Sequence, residues 1–136
     1  MAVILNLDRL LSKFDNLQDI DLTEPLTKAC LLVENDAKRK CPVDTGQLRA
    51  SITHEVEGQT GIVGTNVEYA PYVEYGTGIY ARDGNGRQTP WSYQRADGKW
   101  ITTKGQKPQA FLEPALLENE NEIFRLFEEA IEKGVK

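Results

Sequence analysis

Pro42-Val43-Asp44-Thr45-Gly46-Gln47-Leu48-Arg49-Ala50-Ser51-Ile52 is the stretch on which the fold turns. Its proline disfavours helical geometry at Cys41 and so closes the helix that precedes it. Asp44-Thr45-Gly46 supplies turn chemistry, and Thr45 stands where its hydroxyl would cap a short helical segment over Gln47 to Ser51. From Ser51 to Glu57 apolar and polar residues partly alternate, Gly58-Gln59-Thr60 makes a turn, and Gly61 to Val67 is a second β-type run. The stretch therefore joins a helix to a β-hairpin, with Pro42, Asp44, Thr45, Gly46, Leu48 and Arg49 fixing the junction. Arg49 is the lone cation of an acidic segment and is expected to pair with a carboxylate, Asp44 or Glu74.

Upstream, Leu22, Leu26, Ala29, Cys30, Val33, Ala37 and Cys41 recur at three and four residues, the spacing of one buried helix face. Thr23-Glu24-Pro25 predicts the helix start, with Thr23 as side-chain cap, an acidic first turn and a proline where no amide donor is needed. Lys38-Arg39-Lys40 puts cations at the C-terminal end, as the helix dipole favours, and reads as a solvated end rather than a phosphate contact. Cys30 and Cys41, eleven residues apart, would be separated by about 16 Å along a helix, beyond disulfide reach yet near one face. They are expected to be core thiols. Nearer the N-terminus, the spacing from Leu7 to Leu17 predicts a further short helix.

Downstream, Tyr69, Tyr72, Val73 and Tyr75 cluster around Pro71, and Gly76-Thr77-Gly78 then releases the chain. Tyr72, Tyr75 and Gly76 are expected to close the aromatic side of the core. Residues 77–106 form an excursion with seven charged residues, five glycines and two tryptophans but no aliphatic cluster. Within it Asp97-Gly98 predicts a two-residue hairpin turn that pairs Arg95 with Trp100 and Tyr93 with Thr102, setting three aromatics on one face. Pro108, Phe111 and Pro114 belong to a third segment, in which Pro114 suits the first position of a helix and Leu112 can staple onto Leu117. That last helix is expected to run close to the C-terminus on a stripe of Leu116, Leu117, Ile123, Phe124, Phe127, Ala130 and Ile131, its glutamates facing solvent.

The chain has 136 residues, enough for one core. It is read as a single α+β domain over 1–136, with a small antiparallel β-sheet packed against a long central helix and a C-terminal helix, and an extended hairpin loop at about 77–106. There is no run of eighteen apolar residues and no cleavable signal at Met1, so the chain is expected in the cytoplasm where it is made. Its net charge of −5 argues against broad nucleic-acid binding. Counting Asp, Glu, Lys and Arg gives −1 over 1–41, −4 over 42–76, +3 over 77–106 and −3 over 107–136. One basic segment sits in an acidic chain.

Catalytic chemistry is sparse. His54 is the only histidine and stands on a predicted strand with no cysteine or acidic pair at ligand spacing, so no metal and no cofactor is expected. No nucleophile elbow accompanies it. Gly76-Thr77-Gly78 and Gly84-Asn85-Gly86 lack the lysine and serine or threonine that end a phosphate loop, and read as flexible loops. Glu55 and Glu57 share a strand face and line its wet side.

Three segments, Pro42 to Ile52, Glu68-Tyr69-Ala70-Pro71-Tyr72-Val73-Glu74-Tyr75-Gly76-Thr77 and Lys107-Pro108-Gln109-Ala110-Phe111-Leu112-Glu113-Pro114-Ala115, in this order between these helices, resemble the neck or minor-tail components of tailed bacteriophages with long non-contractile tails and of prophages. The likeness is in kind to the tail-completion protein of lambda-like phages and spans about residues 22–118. Ala110 and Glu113 depart from the pattern, where a proline and a basic residue are common. The resemblance implies an α+β virion protein without enzymatic activity, assembled in the host cytoplasm at the head-to-tail junction or upper tail. Its implied partners are other neck or tail proteins and copies of itself in a ring, with a monomer in isolation compatible with that.

A ring needs two different surfaces that meet on successive subunits. The basic, aromatic excursion supplies one, through Tyr80, Arg82, Arg87, Trp91, Tyr93, Arg95 and Trp100, and the acidic remainder complements it. Two other readings stay open on the residues alone. One is a module gripping a peptide or single strand through Trp91, Tyr93 and Trp100. The other is a small hydrolase built on His54 and a carboxylate.

Overall fold

Helix α1, Thr23–Lys40, buries the whole apolar set expected of it: Leu22, Leu26, Ala29, Cys30, Val33, Ala37 and Cys41 are all inaccessible or nearly so. The computed structural model describes residues 1–6, 21–42 and 46–134. The helix expected from Leu7 onward, and the roles given to Asp44 and Thr45, lie outside those residues. The start of α1 differs from expectation. Thr23 is its first helical residue and the carboxylate of Asp21, two residues earlier, accepts from the Thr23 amide at 3.0 Å. Pro25 consequently sits third in the helix, still within the first turn, where amides have no partner inside the helix. The end is as expected: Cys41 is extended, ahead of Pro42.

The chain divides into two compact units, Met1–Asn66 with Phe111–Lys136, and Val67–Ala110. In the first, β1 (Ala2–Asn6), β2 (Thr53–Glu57) and β3 (Thr60–Gly64) form an antiparallel sheet in the order β1-β3-β2. Strand β1 occupies residues assigned no strand on sequence. Gly58-Gln59 joins β2 to β3, and only Gly58 has a positive φ, as in a type II′ turn. Short helix α2, Gln47–Ser51, falls where expected, but its cap position is Gly46, at φ 83°. Arg49 at its far end donates to the Cys41 carbonyl at 3.5 Å.

One face of the sheet packs on α1, and Gly61 lies directly against Cys30 and Leu26 of that helix. A Cβ there would collide with the Cys30 sulfur and come within 3.1 Å of Leu26 Cδ1. On the same face, Val63 is buried and His54 Nδ1 lies 3.2 Å from Glu34 Oε1 on α1. The other face carries Glu55 and Glu57 in solvent, as expected, along with Ile4 and Ile62. Burial pushes the Cys30 thiol up to about 11, with the Glu34 charge adding to it, so the thiol is protonated and inert at neutral pH.

The C-terminal segment forms two helices, not one, α4 (Leu112–Leu117) and α5 (Glu120–Gly134), which follow α3 (Ala70–Tyr75) of the second unit in chain order. Phe111 and Leu112 are core residues, and burying them starts α4 two residues before Pro114, which is therefore its third residue. Leu117 is exposed, so it is no staple for Leu112. The break falls at Asn119, whose side-chain amide donates to the Ala115 carbonyl at 2.7 Å and to Asp36 Oδ2 at 2.9 Å. Such local side-chain bonds compete with the backbone ladder. Asp36 is only 4% exposed and is also bonded by Arg39, with Lys40 at 3.7 Å. Lys40 pairs with Glu118 as well, and Lys38 with Glu34 at 3.7 Å. The basic triplet is thus engaged by carboxylates of its own chain, two of them buried. Of the expected α5 stripe, Phe127 is buried while Phe124 is 65% exposed.

The second unit holds α3 (Ala70–Tyr75), a 3-10 turn at Gly78–Tyr80, and the hairpin of β4 (Trp91–Gln94) and β5 (Trp100–Thr103). Its register is one residue away from expectation: Trp91 pairs with Thr103, Tyr93 with Ile101 and Gln94 with Trp100. The loop has three residues, because Gly98 takes a φ of 86° and its amide bonds the Arg95 carbonyl, while the Arg95 amide bonds the Lys99 carbonyl at 2.8 Å. This is a turn followed by a left-handed glycine, the usual three-residue solution. The slip moves Trp100 to the opposite face from Trp91 and Tyr93.

Two stability measurements check the first unit. Gly61→Ala should cost about 1–3 kcal/mol by overpacking, and adding Cys30→Ala should recover part of that loss, read as non-additivity in urea unfolding. Asp36 is the second. Burial alone would raise its carboxyl, but hydrogen bonds from Arg39 and Asn119 and the charges of Lys40 and Arg39 outweigh it and hold the folded pKa below 3.8. The unfolded state therefore binds more protons as pH falls, and stability present above about pH 4 is lost through the folded pKa. Asp36→Ala should be less stable by about 1–3 kcal/mol at pH 7, with the gap to the parent closing toward pH 2.

Candidate functional site

The second unit is built around a clasp of glycines. Helix α3 carries Pro71 in its first turn, where a missing amide costs nothing, and stops at Gly76. Thr77 then runs beside the chain leaving β5: its amide donates to the Gln106 carbonyl at 2.9 Å, the Gln106 amide donates to Thr77 Oγ1 at 2.9 Å, and the Ile79 amide donates to the Lys104 carbonyl at 3.1 Å. Gly78 and Gly105 face each other across this seam, and a Cβ on either would strike the opposite backbone. Gly76-Thr77-Gly78 is therefore a backbone seam and not the flexible loop expected from its composition. The Gln109 amide on the Val73 carbonyl, at 2.8 Å, ties Gln109 to α3.

The seam turns the excursion back onto α3. The Arg82 amide donates to the Tyr75 carbonyl at 2.8 Å, and the Arg82 guanidinium lies 4.3 Å from the Tyr75 ring centroid. Farther on, the Arg87 guanidinium lies 5.6 Å from the Trp91 ring, with its Nε donating to Thr89 Oγ1 at 3.2 Å. Each cation is held over an aromatic face. These residues open a groove of about 540 Å³, lined by Pro71, Tyr72, Tyr75, Gly76, Thr77, Gly78, Ala81, Arg82, Asp83, Asn85, Gly86, Arg87 and Trp91.

The groove brings together three of the seven residues expected at an interface, Arg82, Arg87 and Trp91. Tyr80, Tyr93, Arg95 and Trp100 do not line it. Tyr80 is exposed with the Lys107 ammonium 6.0 Å from its ring, Tyr93 is exposed on the Trp91 side of the hairpin, and Arg95 is exposed at its turn. Trp100, 70% exposed, faces the other way.

Tyr72 and Tyr75 depart from their expected place. Expected to close the core, they form one wall of the groove, and Tyr72 is 62% exposed. Their spacing of three on a helix that Gly76 terminates is the signal that both point to one side.

Chemically, the groove offers aromatic faces, two permanent cations and one opposing carboxylate, Asp83. Arginine stays protonated at any accessible pH and its planar fork suits carboxylates. This equipment recognises; it holds no nucleophile next to a base. Among the described residues no group of three His, Cys, Asp or Glu could hold a metal ion, and no helix is long and apolar enough to cross a membrane.

No curated protein and no solved structure matches the chain. A family model does, the one described as "Bacteriophage HK97-gp10, putative tail-component", over residues 2–76. That span contains the sheet, α1, the junction at 42–52 and the tyrosine helix α3, and it ends at Gly76, where the seam begins. The elements that mark the chain as α+β are thus the same ones that carry the match, and the chain belongs to the HK97-gp10-like family of bacteriophage tail components.

Proposed function

We propose that the protein is a virion structural component of the head-to-tail junction or upper tail, acting in tail completion or head–tail joining through ring-type subunit contacts. Family membership supports the setting, and one observation carries the contact: the groove that unites Tyr72 and Tyr75 with Arg82, Arg87 and Trp91 on the only segment with positive net charge. The two units act as one α+β domain, the second presenting this surface. Its partners are copies of the chain and other neck or tail proteins, and the protein works without catalysis, metal or cofactor.

A contact of this composition favours encounter and register. Guanidiniums stacked on rings stay in place before a partner arrives, which lowers the ordering cost of association. Opposite net charge on the approaching surface then speeds docking, more so at low salt. The single-strand alternative needs bases stacked in succession on one aromatic surface. With Trp100 turned away from Trp91 and Tyr93, the hairpin gives that alternative less support.

Reversing charge at the exposed positions Arg87 and Arg95 should leave the circular dichroism spectrum and melting temperature unchanged while slowing head–tail joining about tenfold or more at low salt. The assay is complementation of a deletion, with joined particles counted by electron microscopy against separate heads and tails. Joining at the parental rate would sink the proposal.

A further inference from the structure

Helix α5 carries an exposed aromatic that its own unit does not use. Phe124 is 65% exposed, although Phe127, three residues later, is buried. Glu120 and Glu128 stand one turn before and after Phe124, so the ring lies between two carboxylates spaced about 12 Å along the helix. The nearest cation in sequence, Arg125, is occupied by Glu122 at 3.6 Å. The surface is an apolar knob flanked by negative charge, in a segment, 107–136, whose net charge is −3.

The groove of the second unit is the reciprocal of that knob. It has aromatic walls in Tyr72, Tyr75 and Trp91, a volume of about 540 Å³, and guanidiniums at Arg82 and Arg87. That volume is in the range of clefts that enclose small ligands, and ample for one phenyl ring with its neighbours. The Arg87 guanidinium, exposed and stacked on Trp91, still presents in-plane donors that a carboxylate can accept.

We infer that the groove of one copy receives the Phe124 face of α5 from a second copy, with Glu128 meeting Arg87. The inference deepens the ring-contact reading above and rests on it. Both surfaces are present on every chain and differ from each other, so the contact is heterologous and propagates from copy to copy until it closes. The opposite charges of segments 77–106 and 107–136 select this pairing over groove against groove or helix against helix, either of which would set like charges together.

The test places a photoreactive residue at the knob, Phe124→p-benzoylphenylalanine in the full-length chain, and irradiates particles assembled with it. The expected product has twice the chain's mass, with residue 124 joined to a peptide containing Tyr72 or Trp91. An adduct within one chain, an adduct to a different protein, a doubled product mapped elsewhere or no adduct each overturns the inference. Arg87→Glu should cut the yield about tenfold or more, and adding Glu128→Arg should restore most of it. An unchanged yield in the first variant, or no recovery in the second, also counts against the pairing. Head–tail joining by the parent chain in the deletion background is scored separately. Normal joining without the chain would fail the functional proposal whatever the adducts show, whereas dependence on the chain with wrong adducts fails only the groove-to-helix contact.

Discussion

The first unit depends on how closely α1 can lie on the sheet. That distance is set where Gly61 meets Cys30 and Leu26, because the strand has no side chain there to hold the helix away. With the helix seated, Leu26, Ala29, Val33 and Ala37 lose all contact with water, and each large apolar side chain so buried is worth about 1.5–3 kcal/mol. The same proximity explains the polar contacts at the edge of the core. Glu34 is near enough to His54 to share a hydrogen bond, and Asp36 is buried deeply enough to need Arg39 and Asn119.

Much of this was legible in the chain itself. Seven apolar positions at helical spacing located α1, Pro42 ended it, and Gly58 located the turn of the main hairpin. Strand β1 was not legible, because Ala2-Val3-Ile4-Leu5 is apolar throughout and a short apolar run has no period to distinguish strand from helix. The helix break at Asn119 depends on a partner 83 residues away in sequence, which local spacing cannot register. Propensity at Thr23 was outweighed by Asp21, a carboxylate able to reach the same turn from outside the helix.

The candidate site was half visible. Arg82, Arg87 and Trp91 stood out as basic and aromatic residues in a segment without a core, and they do come together. What joined them to Tyr72 and Tyr75 was tertiary: a backbone seam at Thr77 and Gln106 that composition presented as slack loop. The hairpin slip has a different cause. Asp97-Gly98 fits both a two-residue and a three-residue loop, and the choice, made by the backbone bond from Gly98 to Arg95, decides which way every side chain of the strand points.

Tethering Gln109 to Val73 has a consequence for the order of folding. The first unit is interrupted in sequence, since Asn66 and Phe111 are separated by the whole of the second. Were that intervening stretch an open coil, bringing Phe111 to its place in the core would carry a loop-closure entropy of about 3 kcal/mol. Once the Val73 carbonyl holds the Gln109 amide, the inserted chain is cinched near its two ends and most of that entropy has already been lost locally. The inserted unit, closed by its own bonds from Gln109 to Val73 and between Thr77 and Gln106, thus lowers the entropy still to be lost in burying Phe111, as though the loop before it were only a few residues long.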